Sequence, residues 1–276
     1  MSALDQALDQ LEPPARTILI GEGLPPAGLD HARRHDWGWS VDQVQGDVEL
    51  PMVDRGRVRE PLSLRPPKLL VLDVDSTLTT SEAIDLLAEH AGLGEKVAEI
   101  TERAMQGELD FAQSLTERVA CLEGLPVSVL DEVREQTAFQ PGAAALVEAI
   151  HAAGGKVGVV SGGFIEIVQP LVDQLGIDYA TANTLEISPE GTLTGRITGP
   201  VIDREAKATT LQHYCELAGC ALEESVAIGD GANDLLMLSR AGLGIAYCAK
   251  PVTAEQADAT ISFPRLDAAL GYLVMD

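Results

Sequence analysis

The chain has 276 residues, 46% of them hydrophobic, and a formal net charge of −24 at pH 7, so it can bury a sizeable core in one or two domains. That much negative charge excludes a nucleic acid or an anionic membrane as partner, since both require basic surface. No apolar run approaches the ~18 residues of a membrane span, the acidic opening "MSALDQALDQLEPPAR" lacks the marks of a signal peptide, and four cysteines (Cys121, Cys215, Cys220, Cys248) without metal spacing suit a reducing cytoplasm.

Residues 1–65 read as a small N-terminal α+β segment. "RTILIGEG" is expected as a strand ending in a glycine turn, "LDHARRH" as a short helix, and "DVELPMV" as a second strand. Trp37 and Trp39 alternate as on a half-buried strand. The basic, proline-marked stretch "DRGRVREPLSLRPPK" reads as a linker.

From residue 66 the pattern changes. "KLLVLDV" is a buried strand, and "GKVGVVSGG" (155–163), "SVAIGDG" (225–231), "LGIAYC" (243–248) and "DATISF" (258–263) follow it as further apolar strands. Helical stretches lie between them at 142–154, 165–176, 206–219 and 233–242. Near-continuous apolar strands alternating with helices imply a doubly wound parallel, Rossmann-like sheet, an α/β fold built from residues 66–79 and 141–276. The stretch 183–199 alternates around Pro-Glu-Gly and reads as a β-hairpin. One connection is far too long for a simple crossover: 80 residues separate Asp75 from Lys156. Residues 80–140 are strongly helical and amount to a cap inserted after the first core strand, over the crevice where such sheets bind ligands.

Three strands end in unusual polar residues: Asp73-Val74-Asp75-Ser76-Thr77, Ser161-Gly162-Gly163, and Gly229-Asp230-Gly231-Ala232-Asn233-Asp234. In a parallel sheet all three ends share one edge. Each piece alone is weak, since DxD and SGG mostly mark turns and Lys207 alone would be a solvated helix lysine. Together they converge on one crevice. Four aspartates there, Asp73, Asp75, Asp230 and Asp234, repel one another unless a cation sits among them, and hard oxygen ligands without histidine or thiolate suit Mg²⁺. Such an ion completes its shell with water and a phosphate oxygen, which fits a hydroxyl (Ser161), exposed backbone N–H groups (Gly162, Gly163) and a base (Lys207).

"DVDST", "SGG", the lysine of "REAKA" and "GDGAND" resemble, in order, the four motifs of the haloacid dehalogenase-like phosphatases. "SEAIDLLAEHAG", "ITERAMQGELDFAQSLTERV" and "GDGANDLLMLSRAGLGIAYCAKP" are similar to the phosphoserine phosphatases of that family. The resemblance covers about residues 68–265. It implies that Asp73 is the nucleophile forming an aspartyl-phosphate and Asp75 the acid/base. Asp73, Asp230 and the backbone carbonyl of Asp75 would then hold Mg²⁺. Ser161, Gly162 and Lys207 would stabilise phosphoryl charge, with Asn233 on the phosphate and Asp234 and Gly163 in support. In the cap, Glu82 would meet the substrate ammonium and Arg118 clamp its carboxylate, beside an apolar wall of Met105 and Phe111. The function so implied is hydrolysis of O-phospho-L-serine, a small phosphomonoester, in serine biosynthesis. Phosphothreonine or homoserine phosphate remain as neighbouring substrates, because one methyl group in a pocket is worth only ~1–3 kcal/mol. A phospho-acceptor signalling domain fits less well, since it has neither a second aspartate at Asp75 nor a cap.

Overall fold

The computed structural model describes residues 15–26, 29, 31–42 and 53–275. Among these, eleven strands form one sheet in the order β2-β3-β1-β4-β11-β10-β9-β5-β6-β7-β8. The strands are β1 Arg16–Glu22, β2 Arg33–His35, β3 Gly38–Asp42, β4 Asp54–Val58, β5 Leu69–Leu72, β6 Lys156–Phe164, β7 Tyr179–Ile187, β8 Leu193–Thr198, β9 Ser225–Gly229, β10 Leu243–Tyr247 and β11 Ala259–Ile261. From β11 to β7 every pair is parallel. Taking β5 as the first core strand, the order is the doubly wound 3-2-1-4-5-6, whose switch point lies between β5 and β9. Asp73 and Asp230 directly follow those two strands.

The reason this stretch lies mid-sheet is visible in its burial. Leu70 and Leu72 face a core shared with α5 (Ala143–Ala152) and α6 (Ile165–Leu175). Leu69 and Val71 face α7 (Arg204–Ala218) and α8 (Leu235–Arg240). A strand covered on both faces needs apolar residues at every position rather than at alternate ones. The expected hairpin is the antiparallel pair β7–β8. No helix among the described residues is long and apolar enough to cross a membrane.

The cap comprises α1 (Ala83–His90), α2 (Gly94–Met105), α3 (Phe111–Ala120) and α4 (Val129–Gln136). Its own core, including Leu87, Leu115, Val119, Leu122 and Val133, runs on into Phe164, Ile167 and Leu185 of the sheet layer. The chain enters and leaves the cap side by side. Thr79 bridges Phe139 in antiparallel fashion, Thr80 N–H donates to Ala138 O at 2.9 Å, and Gln140 N–H donates to Leu78 O at 2.9 Å.

The N-terminal segment departs from expectation in three places. Arg33–His35, expected as part of a helix, is the edge strand β2 paired with β3. Trp39 lies on β3, whereas Trp37 sits in the turn before it, so the two rings enter different clusters: Trp37 joins the main core and Trp39 packs with Leu19 and Val41. The first five residues of the expected linker form β4, which runs antiparallel to β11. The strand expected at 47–53 lies outside the described residues, apart from Val53. The sheet is therefore continuous from β1 into the parallel strands, and Ile18, Ile20, Val58 and Leu62 share the main core.

Asp54 fixes that junction. It is buried, and its carboxylate accepts from Thr260 Oγ1 (2.8 Å), Ser262 N (2.8 Å) and Ser262 Oγ (3.0 Å). Asp54→Ala leaves three donors beside β11 without their acceptor. It is expected to lower folding stability by about 2–4 kcal/mol, read from urea unfolding, with a loss under ~1 kcal/mol showing that water replaces the carboxylate there.

Candidate active site

The strand β5 stops at Leu72, and the next residues turn rather than extend. Asp73 is still extended (φ −67°, ψ 162°), but a tight helical turn follows over Val74–Leu78, with Ser76 at φ 60°. The two carboxylates therefore do not share a strand face, as spacing alone suggests. Asp73 points to the floor beneath β9, and Asp75 points toward β6 and the cap.

At the floor, the Lys207 Nζ donates to Asp73 Oδ1 at 2.6 Å and to Asp234 Oδ1 at 2.7 Å. Lys207 is 1% exposed and Asp234 0%. Helix α7 delivers this ammonium: Asp203 caps its N-terminus by accepting from Ala206 N at 2.8 Å, which sets the first turn and aims Lys207 at the strand ends. Burial by itself would lower the lysine's pKa, but Asp234 and then Asp73 outweigh it and hold the ammonium charged. Burial and then Asp234 push the Asp73 carboxyl well above the usual range, with Lys207 opposing.

Asp230 is half-buried beside them, accepting from Thr77 Oγ1 at 3.4 Å, and burial and then Asp234 raise it to about 6. Carboxylate oxygens of Asp73, Asp230 and Asp234 lie within 4.8 Å of one another. Three carboxylates against one ammonium leave two negative charges without compensation. Oxygen donors and a deficit of two fit a hard divalent cation. Asp234 already takes Lys207 and Gly231 N–H (3.0 Å), which leaves Asp73 and Asp230 the better placed to ligate. The carboxylate of Asp75 is outside this cluster.

Asp75 accepts from Ala83 N at 2.9 Å and from Ser161 Oγ at 3.1 Å. Burial raises its pKa, against those two hydrogen bonds. Ser161 in turn accepts from Gly163 N at 2.7 Å. Residues 161–163 form a bulge: the β6–β7 register shifts between Val160 and Phe164, which frees this segment from the ladder. Both glycines are there for close approach. A Cβ at Gly163 would lie 2.7 Å from Asp75 Oδ2, and one at Gly162 would lie 2.9 Å from the Phe111 ring.

Above the acids opens a cavity of about 920 Å³ whose lining includes Glu82, Met105, Phe111, Arg118 and Asn233. Glu82 opens onto the cavity and accepts from Ser76 Oγ at 3.2 Å; burial, then Asp75 and Asp230, raise it to about 7. Arg118 is half-buried and faces Glu82, Asp85 and Asp75; burial lowers its pKa against those three acids. Met105 is 69% exposed on the lid side. All the residues singled out in the sequence thus gather around one cavity or its floor.

Three others were not singled out. Asn183 on β7 is buried and ties the bulge in place, donating to Gly162 O at 2.8 Å and accepting from Ile202 N at 2.9 Å. Its only sequence signal is a polar residue in the buried half of a hairpin. Thr77 holds Asp230, and Asp85 faces Arg118 on the first cap helix.

The haloacid dehalogenase-like hydrolase family model matches residues 70–239. A phosphoserine phosphatase of Streptomyces coelicolor is 51% identical over 218 residues, which are 79% of this chain and 53% of that protein. One from Streptococcus thermophilus is 52% identical over 198 residues, 72% of this chain and 92% of the other. The chain spans about half the length of the first curated relatives it matches, 53% in two cases. A solved phosphoserine phosphatase holding an analogue of the phospho-aspartyl intermediate superposes with a TM-score of 0.71 at 41% identity, covering 76% of this chain and 100% of that one.

The buried lysine yields a stability test. Lys207→Met leaves Asp73 and Asp234 as unpaired buried carboxylates, and breaking such a pair costs about 3–5 kcal/mol. In metal-free buffer the loss should be full at pH 7 and shrink toward pH 4. The unpaired Asp73 carboxyl, already raised by burial, then titrates in the folded state above its unfolded value, so it binds a proton that the unfolded chain has lost. Denaturant unfolding across that range reads the effect, and a pH-independent loss under ~1 kcal/mol contradicts the pairing.

Proposed function

The chain belongs to the haloacid dehalogenase-like hydrolase family, and from that premise we propose that it hydrolyses O-phospho-L-serine to L-serine and inorganic phosphate, the closing step of serine biosynthesis. One observation carries this reading. Two carboxylates two residues apart have different partners: Asp73 has a buried ammonium at 2.6 Å, while Asp75 has a serine hydroxyl and the first amide of the cap. That division suits a nucleophile and a proton carrier.

In this mechanism Asp73 attacks phosphorus in line with the departing seryl oxygen, and Asp75 gives that oxygen its proton. Asp75 then takes a proton from the water that attacks the aspartyl-phosphate, and phosphate leaves as Asp73 is regenerated. A carboxyl with raised pKa serves both directions, acid first and base second. Lys207, the Ser161 hydroxyl and the Gly162 N–H offset charge on the equatorial oxygens. Asn233 touches the phosphate, and Asp234 orients Lys207. Mg²⁺, held by Asp73, Asp230 and the Asp75 carbonyl, would neutralise the phosphoryl oxygens and allow a dianion to approach so many acids.

Selection belongs to the cap. Glu82 meets the substrate ammonium, Arg118 clamps its carboxylate, and Met105 and Phe111 supply the apolar wall. We place the reaction in the cytoplasm, where the four cysteines, all free thiols, stay reduced.

Asp73→Asn should abolish phosphate release while leaving the circular dichroism spectrum unchanged, because an amide is no nucleophile. Appreciable turnover in a host-phosphatase-free preparation would sink that assignment. Arg118→Ala tests the substrate. Loss of one side of a buried charge-assisted pair costs about 2–5 kcal/mol, or roughly 30- to 5,000-fold in kcat/KM. The loss should fall on phosphoserine and spare phosphoethanolamine, which lacks the carboxylate. An equal fall on both substrates places carboxylate recognition elsewhere.

A further inference from the structure

The proposed substrate is an anion, and the molecule that must admit it is strongly acidic. Seven carboxylates and three cationic side chains line the cavity. Two of the three cations are already engaged: Arg118 faces Glu82, Asp85 and Asp75, and Arg204 lies 3.7 Å from the Glu205 carboxylate. Lys250 is exposed on the rim and has no ion-pair partner among the described residues.

Its position is set by the sheet. β10 neighbours β9, so the turn after β10 stands beside the loop that carries Asp230 and Asn233. That turn is firm. Lys250 O accepts from Thr253 N at 2.9 Å and from Ala254 N at 3.1 Å, and Pro251 opens the short helix that follows. The lysine stem therefore projects from a fixed base in the lining of the cavity that holds Asp230 and Asn233.

We propose that Lys250 is the steering residue of this site: its ammonium draws the phosphate dianion to the rim and offsets the field of the surrounding acids until the anion reaches Lys207. A single unpaired cation at the mouth of an acidic cleft acts on encounter and on loosely held anions, so its effect falls with ionic strength. The proposal rests on the phosphomonoesterase reading, but on the phosphate group rather than on the serine portion.

Charge-matched variants test it in the Mg²⁺-loaded, full-length protein. Lys250→Ala and Lys96→Ala each remove one positive charge, and Lys96 lies on α2, outside the cavity lining. At ~20 mM ionic strength Lys250→Ala should lower kcat/KM about three- to tenfold, with kcat within about twofold of wild type, and the loss should fade at ~0.5 M salt. Lys250→Glu should lose more, Lys250→Arg should restore the rate, and Lys96→Ala should match wild type. Calorimetric titration with inorganic phosphate, which does not depend on which ester is hydrolysed, should show the same order of affinities. Phosphate affinity unchanged by Lys250→Ala at low salt overturns the proposal, as does a loss shared by Lys96→Ala or one that persists at high salt. Failure of the substrate reading looks different: poor turnover of phosphoserine by wild type, with the phosphate affinities still ordered by the charge at residue 250.

Discussion

A buried ammonium between two carboxylates organises this molecule. Lys207 reaches Asp73 and Asp234 at hydrogen-bond distance with almost no solvent contact, and so joins the end of β5, the start of α7 and the loop after β9. Removing charges from water at that depth is unfavourable unless each finds a partner. One cation for three carboxylates is too little, and the shortfall is the structural argument for a divalent ion. The turn after β5 separates the surroundings of the two aspartates. Asp73 stays within the field of the lysine, while the turn at Ser76 carries Asp75 away to a hydroxyl and an amide, whose hydrogen bonds oppose the rise in its pKa that burial causes.

Much of this was legible in the chain because function sits where strands end. An apolar strand broken by Asp73, a second by Ser161 and a third by Asp230 are readable because a parallel sheet places all three ends on one edge. The cap was legible from its length and helical periodicity. Asn183, Thr77 and Asp85 were not, since their partners come from other segments and only the fold brings them together. The gathering of Glu82 and Arg118 around one cavity likewise depends on how the cap helices pack, and their spacing in sequence says nothing of it.

Two stretches of the N-terminal segment depart from expectation for specific reasons. In "DRGRV" the buried positions are Asp54, Gly56 and Val58. The alternation of a half-buried strand is present, but an aspartate and a glycine occupy two of its three inward places. Asp54 is buried because β11 offers it three donors, and Gly56 because Tyr272 approaches too closely for a Cβ, which would lie 2.6 Å from its ring. Neither reason is local. "LDHARRH" shows the reverse case, in which residues acceptable in a helix are drawn into β2 by the edge of β3.

The paired crossing at Thr79 and Phe139 has a consequence for how such a molecule diversifies. Because the chain leaves the sheet layer and re-enters it through the same two-stranded gap, what lies between those residues can be lengthened, shortened or replaced without disturbing strand order, provided the Ala83 amide that meets Asp75 is kept. Under the proposed function, recognition is housed in an exchangeable cassette, and bond-breaking chemistry in the frame that accepts it. On that reading a lineage can explore new substrates by rewriting most of some sixty contiguous residues while the strand ends keep their place.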